Sequence, residues 1–347
     1  MNPKSTLAIP LCVMLFQAVP DVARGQAADQ VPTEVGVAPE IPGVVEGATP
    51  IERIQTGYQS LDDPIGLTDG TLLFSDPGAR RIHRLDLTTN EVSVLVAESN
   101  ESHGVIEDNA GRLVSAQAWD GSTRIGVIYP PDRVAVLAES YEGQPFSRPN
   151  DLIVARNGGV YFTDPGLTSG QAATLVERYN GRPLAPRLPP AVYYIPPGGQ
   201  PVRIEENMIR PNGIQLSPDE ETLYISDSNG VHVIAWEIQP DGLVRNRREF
   251  ATLTGRSMRD NGLGGTKTYA DGMAIDSDGR LYVATGGGVE VLSPQGEHVG
   301  TIPVKCPPRD CQNVAFGGLD KKTLYIAGAG SLYRVTMTAQ GFTGRAK

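Results

Sequence analysis

An all-β fold is the class that this sequence predicts, on three observations. The chain of 347 residues contains 40 Gly and 28 Pro, which imply many turns. Its apolar residues fall in short runs between D-G, N-G and G-G turns, without a sustained helical period. Strand-like runs such as LLFSD and VYFTD recur, beginning at Leu72, Leu113, Val160, Leu223, Leu281 and Leu324. Six irregular copies of a unit of about 45 residues predict a six-bladed β-propeller, with one four-stranded sheet in each blade.

The composition narrows the range of partners. The formal net charge is −10, and the acidic residues are scattered rather than gathered into runs. This balance disfavours binding to nucleic acids or to anionic membrane surfaces, and it says little else about partners. A hydrophobic content of 39% is enough for a large core. The sequence predicts no oligomeric state.

The beginning of the chain differs from the rest. Lys4 precedes an apolar stretch at 7–19, which is short for a membrane span, and small residues follow it. We therefore expect a signal peptide at 1–25, with an uncleaved membrane anchor as the alternative. Residues 26–50 contain Pro, Gly and acids without periodicity, which predicts a flexible leader. A single propeller domain would then occupy 51–347, in a periplasmic or secreted protein with no membrane contact after cleavage.

Two cysteines remain after the expected cleavage, in the segment CPPRDC. In an exported protein, Cys306 and Cys311 are expected to form a local disulfide. A zinc site is the weaker interpretation, because two ligands without neighbouring partners do not complete a coordination shell.

A polar residue recurs at one register of the repeat. Counting back from each strand to the start of its hairpin, by ten residues or by eleven where the turn is longer, selects a polar residue every time. In a propeller, equivalent positions on the innermost strands surround the central channel. The predicted ring consists of Asp62, His103, Asn150, Asn212, Asp271 and Asn313. Turn chemistry explains any one of them. It explains less well why R-P-N occurs twice, so the ring is the candidate functional site.

The donor types of this ring indicate a particular chemistry. Carboxylate and amide oxygens suit a hard divalent cation. Such a cation, with open positions for substrate and water, is what a Lewis-acid hydrolase requires. No G-x-S-x-G sequence is present, so nothing in the chain suggests a serine esterase.

Four segments resemble the signature sequences of the gluconolactonase/regucalcin (senescence marker protein) family. They are RPNDLIVARNGGVYFTDPG, RPNGIQLSPDEETLYISDS, YADGMAIDSDGRLYVAT and QNVAFGGLDKKTLYIAG, and the resemblance extends over roughly 51–335. The resemblance implies a six-bladed propeller that holds one divalent cation at the mouth of its channel and hydrolyses sugar lactones or related esters. Ca²⁺ is the first expectation, with Mg²⁺, Mn²⁺ or Zn²⁺ as alternatives.

The resemblance also assigns roles to residues of the ring. It implies that Asn212 and Asp271 are metal ligands, that Asn150 lies at the metal or against the substrate, and that Arg148 contacts the substrate. The family usually opens with E-G-P, whose Glu binds the metal, whereas this chain reads LDDP. Asp62 keeps the carboxylate but is one methylene shorter, and Asp63 is the alternative ligand.

The implied reaction is metal-assisted ester hydrolysis. Asp271 is the candidate for the base that activates water, and pure metal ligation is its alternative role. His103 is expected either to contact the substrate or to be a hydrogen-bonded structural histidine. Arg148 either holds a polar group of the substrate or forms a salt bridge at the rim of the channel.

Two segments are expected to border the site. The insertion that follows FTDPG, at 168–195, is expected to be a lid or specificity loop, or else a variable surface loop. The Gly-rich segment leading into Asp271 would lie beside it. Two alternatives to a lactonase remain. One is a propeller esterase or phosphotriesterase with other substrates, and the other is a non-catalytic propeller that binds calcium or a sugar.

Overall fold

The structure is a computed structural model, which describes residues 32–119, 121–178, 181, 186–256, 267–307 and 310–347. The expected signal peptide lies outside these residues. Among the described residues, no helix is long and apolar enough to span a bilayer.

The first part of the described chain contains two blades. Strands β1 (Thr33–Val37) and β2 (Pro50–Thr56) precede them. The first blade consists of β3 (Asp62–Gly66), β4 (Leu72–Asp76), β5 (Arg81–Leu85) and β6 (Val92–Val96). The second consists of β7 (Ser102–Glu107), β8 (Leu113–Gln117), β9 (Arg124–Tyr129) and β10 (Ala135–Ala138), with a 3₁₀ turn at Pro131–Arg133. A small hairpin follows, formed by β11 (Ser140–Tyr141) and β12 (Gln144–Pro145).

Four further blades follow, with the helix α1 (Ser169–Arg178) inserted in the third. The third blade consists of β13 (Leu152–Val154), β14 (Val160–Asp164), β15 (Ala191–Ile195) and β16 (Val202–Glu205). The fourth consists of β17 (Pro211–Leu216), β18 (Thr222–Asp227), β19 (His232–Ile238) and β20 (Val244–Thr252). The fifth consists of β21 (Met273–Ile275), β22 (Leu281–Thr285), β23 (Gly288–Leu292) and β24 (His298–Ile302). The last strands are β25 (Asn313–Gly317), β26 (Thr323–Gly328) and β27 (Ser331–Thr336).

The blades are arranged around a closed ring, which confirms the predicted six-bladed β-propeller. The first strand of each blade is the innermost one, and each contacts the innermost strand of the next blade in the order β3, β7, β13, β17, β21, β25 and back to β3. The sixth blade is completed from the beginning of the chain, because β2 pairs with β27. Its strand order is β25-β26-β27-β2-β1.

The prediction of a flexible leader is wrong for the part of 26–50 that the structure describes. Strand β1 pairs with β2 at the outer edge of the sixth blade. Ile41, Val44 and Val45 are buried, and they pack in one apolar cluster with residues of the fifth and sixth blades. The Pro and Gly of this segment form its turns, while its few apolar residues are enough to hold it against the propeller.

The insertion in the third blade contains a helix that the sequence analysis did not predict. Its beginning carries a capping box, in which the Gln171 amide nitrogen donates to Thr168 Oγ1 (3.2 Å) and the Thr168 amide nitrogen donates to Gln171 Oε1 (2.9 Å). A single helix of ten residues has too few apolar positions for its period to stand out in a β-rich sequence.

Candidate functional site

Five of the six predicted ring residues occupy equivalent positions at one end of the channel, which we call the mouth. In each blade the ring residue lies four positions before the residue that pairs with the first residue of the recurring apolar run, as in the pairs Gly66–Leu72 and Val154–Val160. The same pairing rule holds for the second, fourth and fifth blades. The mouth residues of the first five blades are therefore Asp62, His103, Asn150, Asn212 and Asp271.

The sixth position of the ring is Gln312, so the prediction of Asn313 is wrong by one residue. Phe316 pairs with Leu324 in the sixth blade, which places Gln312 at the equivalent position. The turn between β25 and β26 is one residue longer than the count assumed. Asn313 lies one step further into the channel, where its Nδ2 donates to Asp63 Oδ1 (2.9 Å).

A recurring Ser/Thr-Asp pair at the end of the second strand positions the mouth residues. Its hydroxyl group donates to the backbone carbonyl of the mouth residue in the next blade. The bonds join Ser75 to His103 (2.7 Å), Thr163 to Asn212 (2.7 Å) and Ser226 to Asp271 (2.8 Å). These distances are close to the optimum for an O–H donor, and the first two bonds are buried. Each hydroxyl group therefore fixes the position of the mouth residue of the next blade along the channel axis.

The aspartate of the same pair holds the loop that leads to the mouth residue of its own blade. In each case its carboxylate accepts hydrogen bonds from two successive backbone N–H groups. Asp76 accepts from Gln59 and Ser60. Asp164 accepts from Ser147 and Arg148, and Asp227 accepts from Ile209 and Arg210. Burial raises the pKa of Asp164 to about 6, although these N–H donors lower it. Sequence reasoning missed these residues, yet the recurrence of FSD, FTD and ISD was a visible signal.

Four side chains from three blades form a continuous chain across the mouth. Asp62 Oδ2 lies 3.2 Å from His103 Nδ1, and His103 Nε2 lies 2.6 Å from an Arg148 guanidinium nitrogen. The other terminal nitrogen of Arg148 donates to Glu101 Oε1 (3.1 Å). His103 thus connects the residue at the position of the family's metal-binding Glu to the residue expected to contact substrate.

The surroundings of His103 favour a neutral ring. Burial is the largest effect and lowers the pKa of His103, and the Arg148 charge lowers it further. The hydrogen bond and the negative charge of Asp62 raise it, but they do not outweigh these two effects. An arginine can only donate, so Nε2 of His103 must accept, and Nδ1 then carries the proton toward Asp62. Burial alone would raise the pKa of Asp62, but the His103 hydrogen bond and neighbouring charges hold it below its ordinary value. Both ring nitrogens of His103 are therefore engaged by protein groups.

Asn212 presents a polar atom suited to a cation. Its Nδ2 donates to Ser228 Oγ (2.8 Å), which fixes the orientation of the amide. Its Oδ1 is buried, and none of the residues that the structure describes donates a hydrogen bond to it. A buried, unpaired carbonyl oxygen costs free energy unless something compensates it. A divalent cation would do so, because amide oxygens are ligands of hard cations.

The raised pKa of Asp271 is the second observation that fits a bound cation. Its pKa is raised well above the ordinary value, first by burial and then by the nearby charges of Asp62 and Asp151, while Arg210 opposes the shift. Two carboxylates brought close together in a buried site repel each other, and a divalent cation between them would remove that penalty. The residues present therefore fit a divalent cation.

The donor set also limits which cation fits. Among the described residues, no group of three or more His, Cys, Asp and Glu side chains is arranged to hold a metal. A cation at the mouth would thus depend on amide oxygens from Asn212 and from the half-buried Asn150, in addition to Asp62 and Asp271. Oxygen-only coordination favours Ca²⁺, Mg²⁺ or Mn²⁺ over zinc.

Two further segments approach the mouth. The helix α1 reaches it through Gln171, whose Oε1 lies 3.4 Å from a guanidinium nitrogen of Arg210. The predicted Cys306–Cys311 disulfide is confirmed, and it precedes Gln312 directly. Most of the Gly-rich segment expected to border Asp271 lies at 257–266, outside the described residues.

The fold and the site together define a class: a six-bladed β-propeller with a buried, oxygen-rich polar site at one mouth of its channel. Residues 64–330 match the family described as SMP-30/Gluconolactonase/LRE-like region. The chain belongs to this family, and the resemblance seen in the sequence is confirmed.

Individual relatives are similar over most of their length. A gluconolactonase from Zymomonas mobilis is 31% identical over 318 residues, covering 86% of this chain and 84% of the relative. The structure of a gluconolactonase from Xanthomonas campestris, 27% identical, superposes with a TM-score of 0.71 and covers 88% of this chain and 97% of its own. A calcium-binding regucalcin from Agrobacterium tumefaciens, 18% identical, shares the fold with a TM-score of 0.64, over 83% of this chain and 94% of its own.

Proposed function

We propose that this protein is an exported lactonase that opens a sugar lactone or a related cyclic ester with the help of one divalent cation. A lactonase is a carboxylic ester hydrolase, and this is the activity of the gluconolactonases it resembles. Two observations support the cation: the buried Oδ1 of Asn212 has no hydrogen-bond donor among the described residues, and the charges of Asp62 and Asp271 repel each other. The calcium-binding regucalcin with the same fold supports Ca²⁺ as the first cation to test.

The ligands would be Asp62, Asn150, Asn212 and Asp271. A bound divalent cation would supply Lewis-acid polarisation of the lactone carbonyl and stabilise the negative charge that develops on its oxygen. Of these ligands, Asn212 is held by Ser228, and the backbone carbonyls of Asn212 and Asp271 are each held by a hydroxyl group. Such rigid placement is what a preorganised site requires.

Asp271 would take the proton from the attacking water. The water oxygen bonds to the carbonyl carbon, the bond from that carbon to the ring oxygen breaks, and a proton passes to the leaving ring oxygen. The product is an open-chain hydroxy acid. Desolvation of Asp271 makes it a stronger base than an exposed carboxylate, which suits this role. Since Asp271 would also bind the cation, ligation alone is the competing role.

Arg148 would bind a hydroxyl or carboxylate group of the substrate. Its guanidinium already contacts Glu101 and His103, so it is held in one orientation at the mouth. His103 would position Arg148 relative to Asp62, because both of its nitrogens are occupied by these two residues. The helix α1 and Arg210 would border the substrate on the opposite side.

Hydrolysis of glucono-1,5-lactone, followed with a pH indicator, tests the proposal. We expect activity in the protein as purified, loss of at least about tenfold after chelation, and recovery when Ca²⁺, Mg²⁺ or Mn²⁺ is added. Near-ultraviolet circular dichroism of the chelated sample controls for unfolding. Full activity in excess chelator would contradict the role of the cation. Hydrolysis of aryl esters or phosphotriesters without any lactone opening would favour the other propeller hydrolases, and cation binding without hydrolysis would favour a binding protein.

We propose export on the signal-like sequence at 1–25. A disulfide between Cys306 and Cys311 supports an oxidising compartment, because cytosolic thiols are kept reduced. Expression of the full chain in a bacterial host, followed by separation of the periplasm and intact-mass measurement, is expected to give a periplasmic protein shortened by about 25 residues. A full-length cytosolic product would contradict export.

A further inference from the structure

The channel contains a buried lysine directly below the mouth. Lys347 Nζ lies 2.6 Å from Asp63 Oδ1 and is also bonded to Asp151 Oδ1. The side chains of Lys347 and Asp63 are completely buried, and that of Asp151 is 2% exposed. Asp63 and Asp151 each follow a mouth residue in the sequence. We call Asp63, Asp151 and Asn313 the second layer.

The second layer connects the innermost strands of neighbouring blades. Asp63 accepts the backbone N–H of Val105 in the second blade and an amide hydrogen from Asn313 in the sixth. Asp151 accepts the backbone N–H of Ile214 in the fourth blade (3.1 Å). Both carboxylates thus hold together the innermost strands that carry the mouth residues. Because they are buried, a negative charge on either of them would destabilise the fold unless a positive group compensated it.

Lys347 belongs to the segment 342–347, which crosses the far end of the channel, opposite the mouth. The Ala346 carbonyl accepts the Gly66 N–H (3.2 Å), the Phe342 N–H donates to the Ile275 carbonyl (3.1 Å), and Arg345 donates to the Leu216 carbonyl (2.7 Å). Gly66, Leu216 and Ile275 are the last residues of three innermost strands. The segment 342–347 is therefore anchored without the help of the Lys347 ammonium group.

The position of Asp63 is where this chain departs from its family. The E-G-P sequence of the family has glycine at this place, and Asp63 has a positive φ of 26° that glycine tolerates more easily. An aspartate here adds a second buried carboxylate beside Asp151. The ammonium group of Lys347 contacts both carboxylates, so the buried lysine compensates the negative charge that Asp63 adds.

We propose that the channel has two cation positions, one at the mouth and one in the second layer, and that Lys347 fills the second as a cation tethered to the chain. Its ammonium group forms ion pairs with both buried carboxylates, which is the contact that a bound cation would make there. A chain without this lysine would leave two buried carboxylates and the Asn313 amide around a space that a small cation would enter. The chemical class of that ligand is a hard cation such as Ca²⁺.

Removing the mouth site first makes the second position measurable on its own. We expect the full chain to bind one Ca²⁺ by equilibrium dialysis with metal analysis at neutral pH, Asp271→Asn to bind none, and the double variant Asp271→Asn/Lys347→Met to bind one. The same double variant should gain thermal stability on addition of Ca²⁺, whereas Asp271→Asn alone should not. Lys322→Met, at an exposed lysine, is the matched control and should leave the bound metal unchanged.

The outcomes separate this inference from the proposed function. A wild-type chain that binds no Ca²⁺ contradicts the mouth site and leaves the test of the second layer intact. A double variant that binds no Ca²⁺ and is not stabilised by it overturns the inference. If Lys347→Met does not fold, Asp63→Gly/Lys347→Met removes one charge of each sign and should fold, with one Ca²⁺ per chain bound at the mouth and none in the second layer. Failure of that variant as well would show that Lys347 acts through packing, against the proposal.

Discussion

Asp271→Asn is expected to lower kcat/KM for lactone hydrolysis by at least about 10³-fold and to abolish binding of the cation at the mouth. The substitution removes the charge and the base while it preserves the shape of the side chain. Because burial and the Asp62 charge already disfavour ionised Asp271, the neutral amide should not reduce the stability of the metal-free protein. Steady-state kinetics, calorimetric titration with Ca²⁺ and thermal unfolding measure the three effects.

Asp276→Asn is the matched control in the same blade. Asp276 is buried and accepts hydrogen bonds from the Arg280 backbone (2.8 Å) and the Tyr282 hydroxyl (3.0 Å), away from the mouth. We expect this variant to lose about 1–3 kcal/mol of unfolding free energy and to keep its activity at temperatures where it is folded. Wild-type turnover in Asp271→Asn would refute the assignment of the site.

Gly213→Ala is expected to destabilise the protein by about 3 kcal/mol or more and to displace Asp271. A Cβ at this position would lie 2.1 Å from the Asp271 carbonyl oxygen and 2.9 Å from Gly272 Cα. Both contacts involve backbone of the neighbouring innermost strand, which cannot move without disturbing the Ser226 hydrogen bond to that carbonyl. Urea unfolding measures the stability, and the affinity for Ca²⁺ reports the displacement.

Gly36→Ala separates the effect of the added methyl group from a general effect of replacing glycine. The nearest atom to a Cβ there is Ile51 Cδ1 at 3.9 Å, and the position lies on the outermost strand of the sixth blade. This variant should be as stable as the wild type or slightly more stable, because alanine loses less backbone entropy on folding. Equal stability of the two alanine variants would show that the close approach of the strands at Gly213 is not important.

The repeat was readable from the sequence because the second strand of each blade is buried on both faces and keeps the same apolar pattern. The register of the mouth residues followed from counting the residues of each hairpin, so it was right where the length of the turn had been counted correctly. It was wrong at Asn313, because a turn can gain a residue on the surface without any cost to the core. Cross-strand pairing, which locates Gln312, cannot be read from one sequence.

The contacts that make the ring a site were less predictable. Asp76, Asp164 and Asp227 act on residues of their own blade, so their recurrence was a usable signal that the sequence analysis did not exploit. Lys347 contacts Asp63 and Asp151 only because the fold brings distant parts of the sequence together, and no local sequence pattern predicts such a contact. The roles of the two ring nitrogens of His103, one as donor and one as acceptor, likewise follow only from the positions of Asp62 and Arg148 in the structure.

The pairing of β2 with β27 has a kinetic consequence. Ile51 and Val335 are partners in this seam, so the ring closes only after nearly the whole propeller sequence has been synthesised. Contacts between such distant residues incur a large loop-closure entropy and slow the search for the native state. Until that step, the outer edges of β27 and β2 expose unpaired backbone groups that invite association with other chains. The same seam that makes the finished ring continuous thus makes its last folding step the one most exposed to aggregation.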